Sequence, residues 1–303
     1  MGAALREEAN FGDGALIGER PGGGAAMVHG VAVPESEGRT GDDWLERPMK
    51  RFSIITVVLN NADGLRLTAE SLGRQDRELY EWLVIDGGST DGTLEVARSF
   101  ADRLDRLVSE PDRGLYDAMN KGLRLATGEY VLFLNSRDTL TPNALRDVET
   151  ALTRVSAADA YTFIIGAAVQ LFPNGMSRTR HPISFDSLWH RIPSSHQATF
   201  IRRTEHLQVP HDLSYPVSSD YYTIANIYLN KKHPVLYLDV TISETPFGAG
   251  SFTARNFGQM LKDHRRVQKE VLKVGAVPRA LSLARKVGIL GATRLLSAFP
   301  KAS

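Results

Sequence analysis

An open α/β sheet with helices wound on both faces is the fold this sequence predicts, and three observations predict it. Apolar, β-branched runs recur between residues 51 and 136 without polar alternation, the pattern of strands buried on both faces. Stretches with helical spacing separate them, so strand and helix alternate four times in about 105 residues. Three of the runs end in short polar segments, and in such a sheet the strand C-termini frame the ligand crevice.

The first run is RFSIITVVLN, beginning at Arg51, and Leu65, Ala69 and Leu72 follow it at helical spacing. EWLVIDGG (81–88) is the second strand. The helix behind it carries Leu94, Ala97, Ala101 and Leu104 on one stripe, with Asp91 placed to cap it. LDRLVSEPD holds a shorter third strand. The next helix buries Tyr116, Met119, Leu123 and Ala126 and is expected to stop at Gly128, which suits a C′ position. GEYVLFLNS (128–136) is the fourth strand, and Thr141-Pro142 opens a helix with Leu145, Val148, Leu152 and Val155 inward. Farther on, AYTFIIGAAVQLF (160–172) and HPVLYLDVTIS (233–243) read as strands. They flank an irregular segment rich in His, Pro, Ser and aromatics.

With 303 residues, 42% apolar and 23% charged, the chain can bury a substantial core. The absence of Cys excludes disulfides, Cys nucleophiles and Cys metal sites. Lys and Arg number 36 against 35 acids, and the net +1 argues against a nucleic-acid partner. That total hides an asymmetry. Residues 254–303 hold 11 Lys and Arg against Asp263 and Glu270, whereas residues 1–253 hold 25 against 33 acids. Residues 1–48 are Gly-rich and acidic without any period, and are expected as a disordered leader with no secretory h-region. No charge-free apolar run is long enough to cross a bilayer, so the expected location is the cytoplasm. The domain proper is expected over 49–253, followed by a basic amphipathic helical tail over 254–303. In that tail Leu281, Leu283, Ala284, Val287, Leu290, Leu295 and Leu296 form an apolar side among Arg279, Arg285, Lys286 and Arg294. This fits a helix lying on the inner face of an anionic membrane, and equally a helix packed on the domain.

The polar tips are Asn60-Asn61, then Asp86-Gly87-Gly88-Ser89-Thr90-Asp91-Gly92, then Asn135-Ser136-Arg137-Asp138. An acid at the end of a buried strand suits a ribose hydroxyl or a nucleobase N–H, and the glycines allow a ligand to approach closely. The same residues also fit a tight turn with a helix cap. Asp117, Asn120, Lys121 and Arg124 form a polar helix face, either solvated and salt-bridged or bringing Lys121, with Arg113, toward a diphosphate. Neither GxGxxG nor GxxxxGK[ST] occurs in this region, which speaks against dinucleotide and P-loop sites.

Taken in order, TVVLNN, VIDGGSTDGT and SEPDRGLYDAMNKGLRLATGEYVLFLNSRD resemble the nucleotide-sugar-binding half of glycosyltransferase family 2, whose fold is GT-A. PSSHQATFIRR and YPVSSDYYTIANIY resemble the bacterial exopolysaccharide branch of that family, of the colanic-acid biosynthesis type. The resemblance implies an inverting enzyme that moves a sugar from a nucleoside-diphosphate donor to a saccharide carried on a polyprenyl diphosphate. The nucleoside would be held at Thr56, Asn60 and Asp86 with Asp91 beside them, and Arg113, Asp117, Lys121 and Asn135 complete the expected donor set.

The family's DxD-type motif binds a divalent metal, Mg²⁺ or Mn²⁺, between the donor phosphates. Here Asn135 and Arg137 stand where acids are common, which leaves Asp138 as the metal candidate, with Arg137 able to supply part of the charge itself. The family's catalytic base corresponds to Asp220, which would take the proton of the acceptor hydroxyl. Two serines before it and apolar residues after it also fit a helix cap. His196, Gln197 and Arg202 are expected at the acceptor or the diphosphate. The reduced acidic motif keeps a second reading open, a sugar-nucleotide-binding subunit of a polysaccharide assembly complex that no longer catalyses.

Overall fold

The computed structural model describes residues 50–155, 161–230, 234–248 and 251–298, with side chains as far as Gly288. The leader expected over 1–48 lies outside the described residues, as do the side chains of Leu290, Leu295 and Leu296.

The first half is the predicted parallel layer. Strands β1 (Phe52–Val58), β2 (Tyr80–Asp86), β3 (Arg106–Ser109) and β4 (Tyr130–Phe133) alternate with helices α1 (Ala62–Leu72), α2 (Thr93–Ser99) and α3 (Leu115–Leu125). The strands lie in the order β3-β2-β1-β4, all parallel, so the chain winds outward from β1 and then returns to its other side. Period-two alternation divides the core. Phe52, Ile54 and Val58 point to the face covered by α1 and α2, and Ile55 and Val57 to the face covered by α3. Helix α3 sits close to the sheet because Gly122 faces it; a Cβ there would stand 2.4 Å from Ile55 Cγ2.

The second half departs from a parallel plan. Strands β5 (Thr139–Leu140), β6 (Phe163–Leu171), β7 (Ser177–Arg180), β8 (Thr199–Arg202) and β9 (Val235–Pro246) extend the sheet as β4-β8-β6-β9-β5, and β7 pairs with β6. Only β6 and β9 pair in parallel; β8, β7 and β5 are antiparallel to their neighbours. Helix α4 (Ala144–Arg154) joins the first core through Leu145 and Val148. A further core gathers Phe163, Ile165 and Ile201 under helix α6 (Ser219–Asn230) and helix α8 (Phe257–Glu270). The remaining helices are α5 (Arg203–Gln208), α7 (Phe252–Arg255) and α9 (Ala276–Ala298).

Two local expectations need correction. Helix α3 ends at Leu125 with an extended Ala126 as its cap. Gly128 is needed for a different reason: a Cβ there would meet Ser53 Oγ at 2.7 Å. Asp91 is not the cap residue of α2, which is Gly92, although its carboxylate accepts the Thr93 N–H at 3.0 Å.

The basic tail is helical as expected, and it is built into the domain. The carboxylate of Asp263 on α8 accepts the N–H groups of Val217 and Ser218, 2.9 and 3.1 Å away, just before α6. Helix α9 packs inward through Ser282 and Lys286, and leaves Val277, Leu281 and Val287 exposed at 72%, 57% and 52%. No described helix is long and apolar enough to cross a membrane.

Candidate active site

Parallel pairing brings the ends of β1, β2 and β4 to one edge of the sheet. Asn60 there takes a left-handed turn (φ 47°), its side-chain oxygen accepting the Thr90 N–H at 2.8 Å while its own N–H reaches Ser89 Oγ at 2.7 Å. Asn61 ties three segments together: it caps α1 through Gly64 N, donates to Ser136 Oγ at 3.0 Å, and its N–H bonds to Thr93 Oγ1. The buried Asp86 carboxylate accepts bonds from Ser89 N, Ser89 Oγ and Ser109 Oγ, which folds the glycine loop back over the strand end. Asn60, Asp86, Asp91 and Asn135 therefore lie along one edge of the sheet, the Asp86 carboxylate being buried and held by Ser89 and Ser109.

Other expected donor residues are placed differently. Thr56 lies inside the core, where its hydroxyl accepts the Trp82 indole N–H at 3.0 Å, so it faces the helices and not the crevice. Arg113, itself exposed, pairs with the largely buried Asp117 at 3.0 Å in an i,i+4 contact. Lys121 is held by Glu110 at 2.7 Å and Asp112 at 2.6 Å, which secures the loop leading into α3. The polar face of α3 is thus largely an internal one: Asn120 clamps the backbone of His211 through both its N–H and its carbonyl. Arg202 binds Glu129, the Tyr130 hydroxyl and Tyr161 O at the start of β4, the opposite end of that strand from the crevice.

At the centre, four side chains from four elements form a line. Asn135 Nδ2 is 3.3 Å from His196 Nε2, His196 Nδ1 is 3.7 Å from Asp220 Oδ2, and the Tyr116 hydroxyl is 3.2 Å from Asp220 Oδ1. Burial would push the Asp220 carboxyl upward, but the neighbouring His196 and the Tyr221 N–H outweigh it and hold the group below the usual aspartate value. The base candidate is ionised at neutral pH and remains 21% exposed. Asp220 is the second residue of α6 and accepts the N–H of its neighbour Tyr221, so it is inside the helix and not its N-cap, the alternative reading. A small recess of ≈ 10 Å³, room for about one water, adjoins it, with His196, His211 and Thr223 in its lining. Tyr116, which the sequence places only on a buried stripe, was missed as a site residue. The signal was its hydroxyl, which in a core needs a polar partner.

The expected metal ligand does not fit that role. Asp138 is 6% exposed, with one carboxylate oxygen accepting from Gln197 Nε2 at 3.0 Å and the other from Thr245 Oγ1. Burial pushes its carboxyl upward. Gln197 likewise serves Asp138 and the Ser195 hydroxyl. No group of three or more His, Cys, Asp or Glu among the described residues is placed to hold a metal ion. The charge at this tip belongs to Arg137, exposed, in a left-handed conformation (φ 83°), with its N–H anchored on Gly64 O and Thr68 Oγ1.

A parallel sheet with a glycine loop at its edge, continued by antiparallel strands and by a helix that holds Asp220, has the architecture of the GT-A fold. The family model "Glycosyl transferase family 2" matches residues 53–219, and the chain belongs to that family. It is 32% identical over 256 residues to a PGL/p-HBAD biosynthesis glycosyltransferase of Mycobacterium bovis, spanning 82% of this chain and 91% of the relative. Glycosyltransferase AglE of Haloferax volcanii is 27% identical, spanning 82% and 81%. Among solved structures, S. aureus TarS residues 1–349 superpose with a TM-score of 0.57 at 18% identity, covering 77% of this chain and 68% of that one. The mannosyltransferase PcManGT from Pyrobaculum calidifontis, in complex with GDP-Man and Mn²⁺, gives 0.55 at 16% identity, covering 85% and 86%.

Proposed function

We propose that this enzyme transfers a sugar with inversion from a nucleoside-diphosphate sugar to a lipid-linked saccharide in the synthesis of exopolysaccharide or another cell-surface glycoconjugate. The donor class is supported by the complexes of the structural neighbours with UDP, UDP-GlcNAc and GDP-Man. The observation that carries the mechanism is the ionised Asp220 between His196 and Tyr116, beside the strand tips. As the acceptor oxygen attacks the anomeric carbon, Asp220 takes its proton. The bond from that carbon to the diphosphate oxygen breaks, and the nucleoside diphosphate leaves with the electron pair. Attack opposite the leaving group inverts the configuration. His196 orients the Asp220 carboxylate, and Arg137 supplies positive charge to the donor diphosphate.

Helix α9 supports work at the inner face of the cytoplasmic membrane, because Val277, Leu281 and Val287 are exposed beside basic residues. The test of the base is Asp220→Asn. It is expected to reduce transfer by at least about 10²-fold while nucleotide-sugar binding, read as a rise in thermal midpoint, is retained. Retained turnover would remove Asp220 from the chemistry.

A further inference from the structure

A cluster of cations lies beyond Asp220, away from the nucleoside end of the crevice. Arg178 and Arg180 come from β7, Arg191 from the loop after the turn at Phe185–Trp189, and Arg285 and Lys286 from α9. In the sheet order β4-β8-β6, with β7 on β6, this is the side opposite β1 and β2.

The scaffold that holds the cluster is specific. Four carbonyls of one short loop each receive a side-chain donor from a different element: Leu188 O from Tyr221, Trp189 O from Gln268, His190 O from Lys286, and Ile192 O from Arg180. Arg191 is left projecting between them with no side-chain partner. None of the five cations pairs with a carboxylate among the described residues, and the buried Nε atoms of Arg180 and Arg191 have no hydrogen-bond acceptor at all.

The electrostatic signature agrees. Burial and then the charges of Arg191 and Arg178 push Arg180 down to about 10, with Asp220 the acid that opposes them. Burial pushes Lys286 down to about 8, and His190 is pushed down to about 4 by burial and by Arg191, Arg285 and Lys286. The buried Nε donors of Arg180 and Arg191 lack an anion, and Arg180 is close enough to Asp220 to feel its charge.

We propose that this cluster is a phosphate or diphosphate site on the acceptor side of Asp220, and that it grips the anionic carrier group of the acceptor. The inference rests on the transferase reading above and adds the acceptor's chemical class to it. Planar guanidinium forks on two elements suit a compact, multiply charged phosphate group. A carrier held there leaves the saccharide to reach toward Asp220.

The probe is farnesyl diphosphate, titrated calorimetrically into the full chain beside farnesol and inorganic pyrophosphate, with and without saturating UDP or GDP. Farnesyl diphosphate and pyrophosphate are expected to bind whether or not the nucleotide is present, and farnesol is not. The double variant Arg178→Ala/Arg191→Ala removes two side chains that hold nothing together, and thermal melts confirm its fold. It is expected to weaken both anions at least ten-fold without changing nucleotide binding. Equal affinity in the variant overturns the proposal, as does displacement of the anion by UDP or GDP, which would put it in the donor crevice. A variant that releases the protein from phosphatidylglycerol vesicles yet binds farnesyl diphosphate normally also overturns it, because the cluster would then serve bilayer headgroups. Failure of every nucleotide sugar to bind or turn over would sink the transferase reading alone and leave the pyrophosphate result standing.

Discussion

Arg137 and Asp138 are neighbours in the chain with opposite fates. Arg137 is exposed in a conformation that glycine prefers, a strain of about 1–3 kcal/mol held in place by the bonds of its N–H to Gly64 O and Thr68 Oγ1. Asp138 is sealed between Gln197 and Thr245 and works as a brace. Arg137→Ala keeps the backbone strain and is expected to weaken donor-induced thermal stabilisation roughly ten-fold in apparent affinity, the worth of one charge-assisted phosphate contact. Asp138→Asn is expected to lower the melting temperature and leave any cation dependence of donor binding unchanged. Unchanged stability together with lost cation dependence would place Asp138 in a metal shell instead. At this scale the sequence was a partial guide. That Asn60, Asp86, Asp91 and Asn135 lie at or just past strand ends was legible, because strand ends are legible. Thr56 was not, because a run buried on both faces has no alternation to tell which side a residue takes. Arg202 was not, because the antiparallel return of β8 carries its C-terminal end away from the crevice.

Close approach between elements rests on missing side chains. The contact of α3 with β1 needs Gly122, whereas Gly258 on α8 has open space where its Cβ would go. Gly122→Ala is expected to destabilise by about 1–3 kcal/mol through overpacking against Ile55. Gly258→Ala is expected to be neutral or to stabilise by up to about 1 kcal/mol, since alanine favours helix. Denaturant melts compare the two directly; equal effects would mean that helix propensity, and not the contact, decides both. The four parallel strands and their helices were legible because each was long, apolar and bounded by turn residues. Strand β7 (Ser177–Arg180) reads SRTR and is mostly exposed; only its pairing with β6 makes it a strand. No local pattern could have found it.

Across the whole molecule, buried imidazoles make the fold sensitive to acid. Burial holds His206 well below its ordinary value, and holds His211 down at about 4. Both rings stay neutral in the folded chain, while in the unfolded chain they take up protons near pH 6.5. Stability is therefore unaffected above about pH 6.5 and declines as pH falls from there toward about 4, by up to about 1.4 kcal/mol per pH unit for each ring. Asp220, held below its usual value, adds a loss only at still lower pH. Melting temperatures measured between pH 7 and pH 4.5 are expected to fall, and His206→Leu is expected to flatten that fall, since neither ring nitrogen of His206 has a partner to lose. A pH-independent melting temperature would show that these rings titrate normally.

The bond from Asp263 to the backbone just before α6 bears on how this enzyme can change over time. The composition of residues 254–303 marks them as an appendage, yet one carboxylate among them sets where the helix bearing Asp220 begins. Such a segment cannot be exchanged between relatives as a cassette. A chimera that imported a foreign C-terminus would inherit a repositioned start of α6, and Asp220 with it, so the two segments are bound to diverge together.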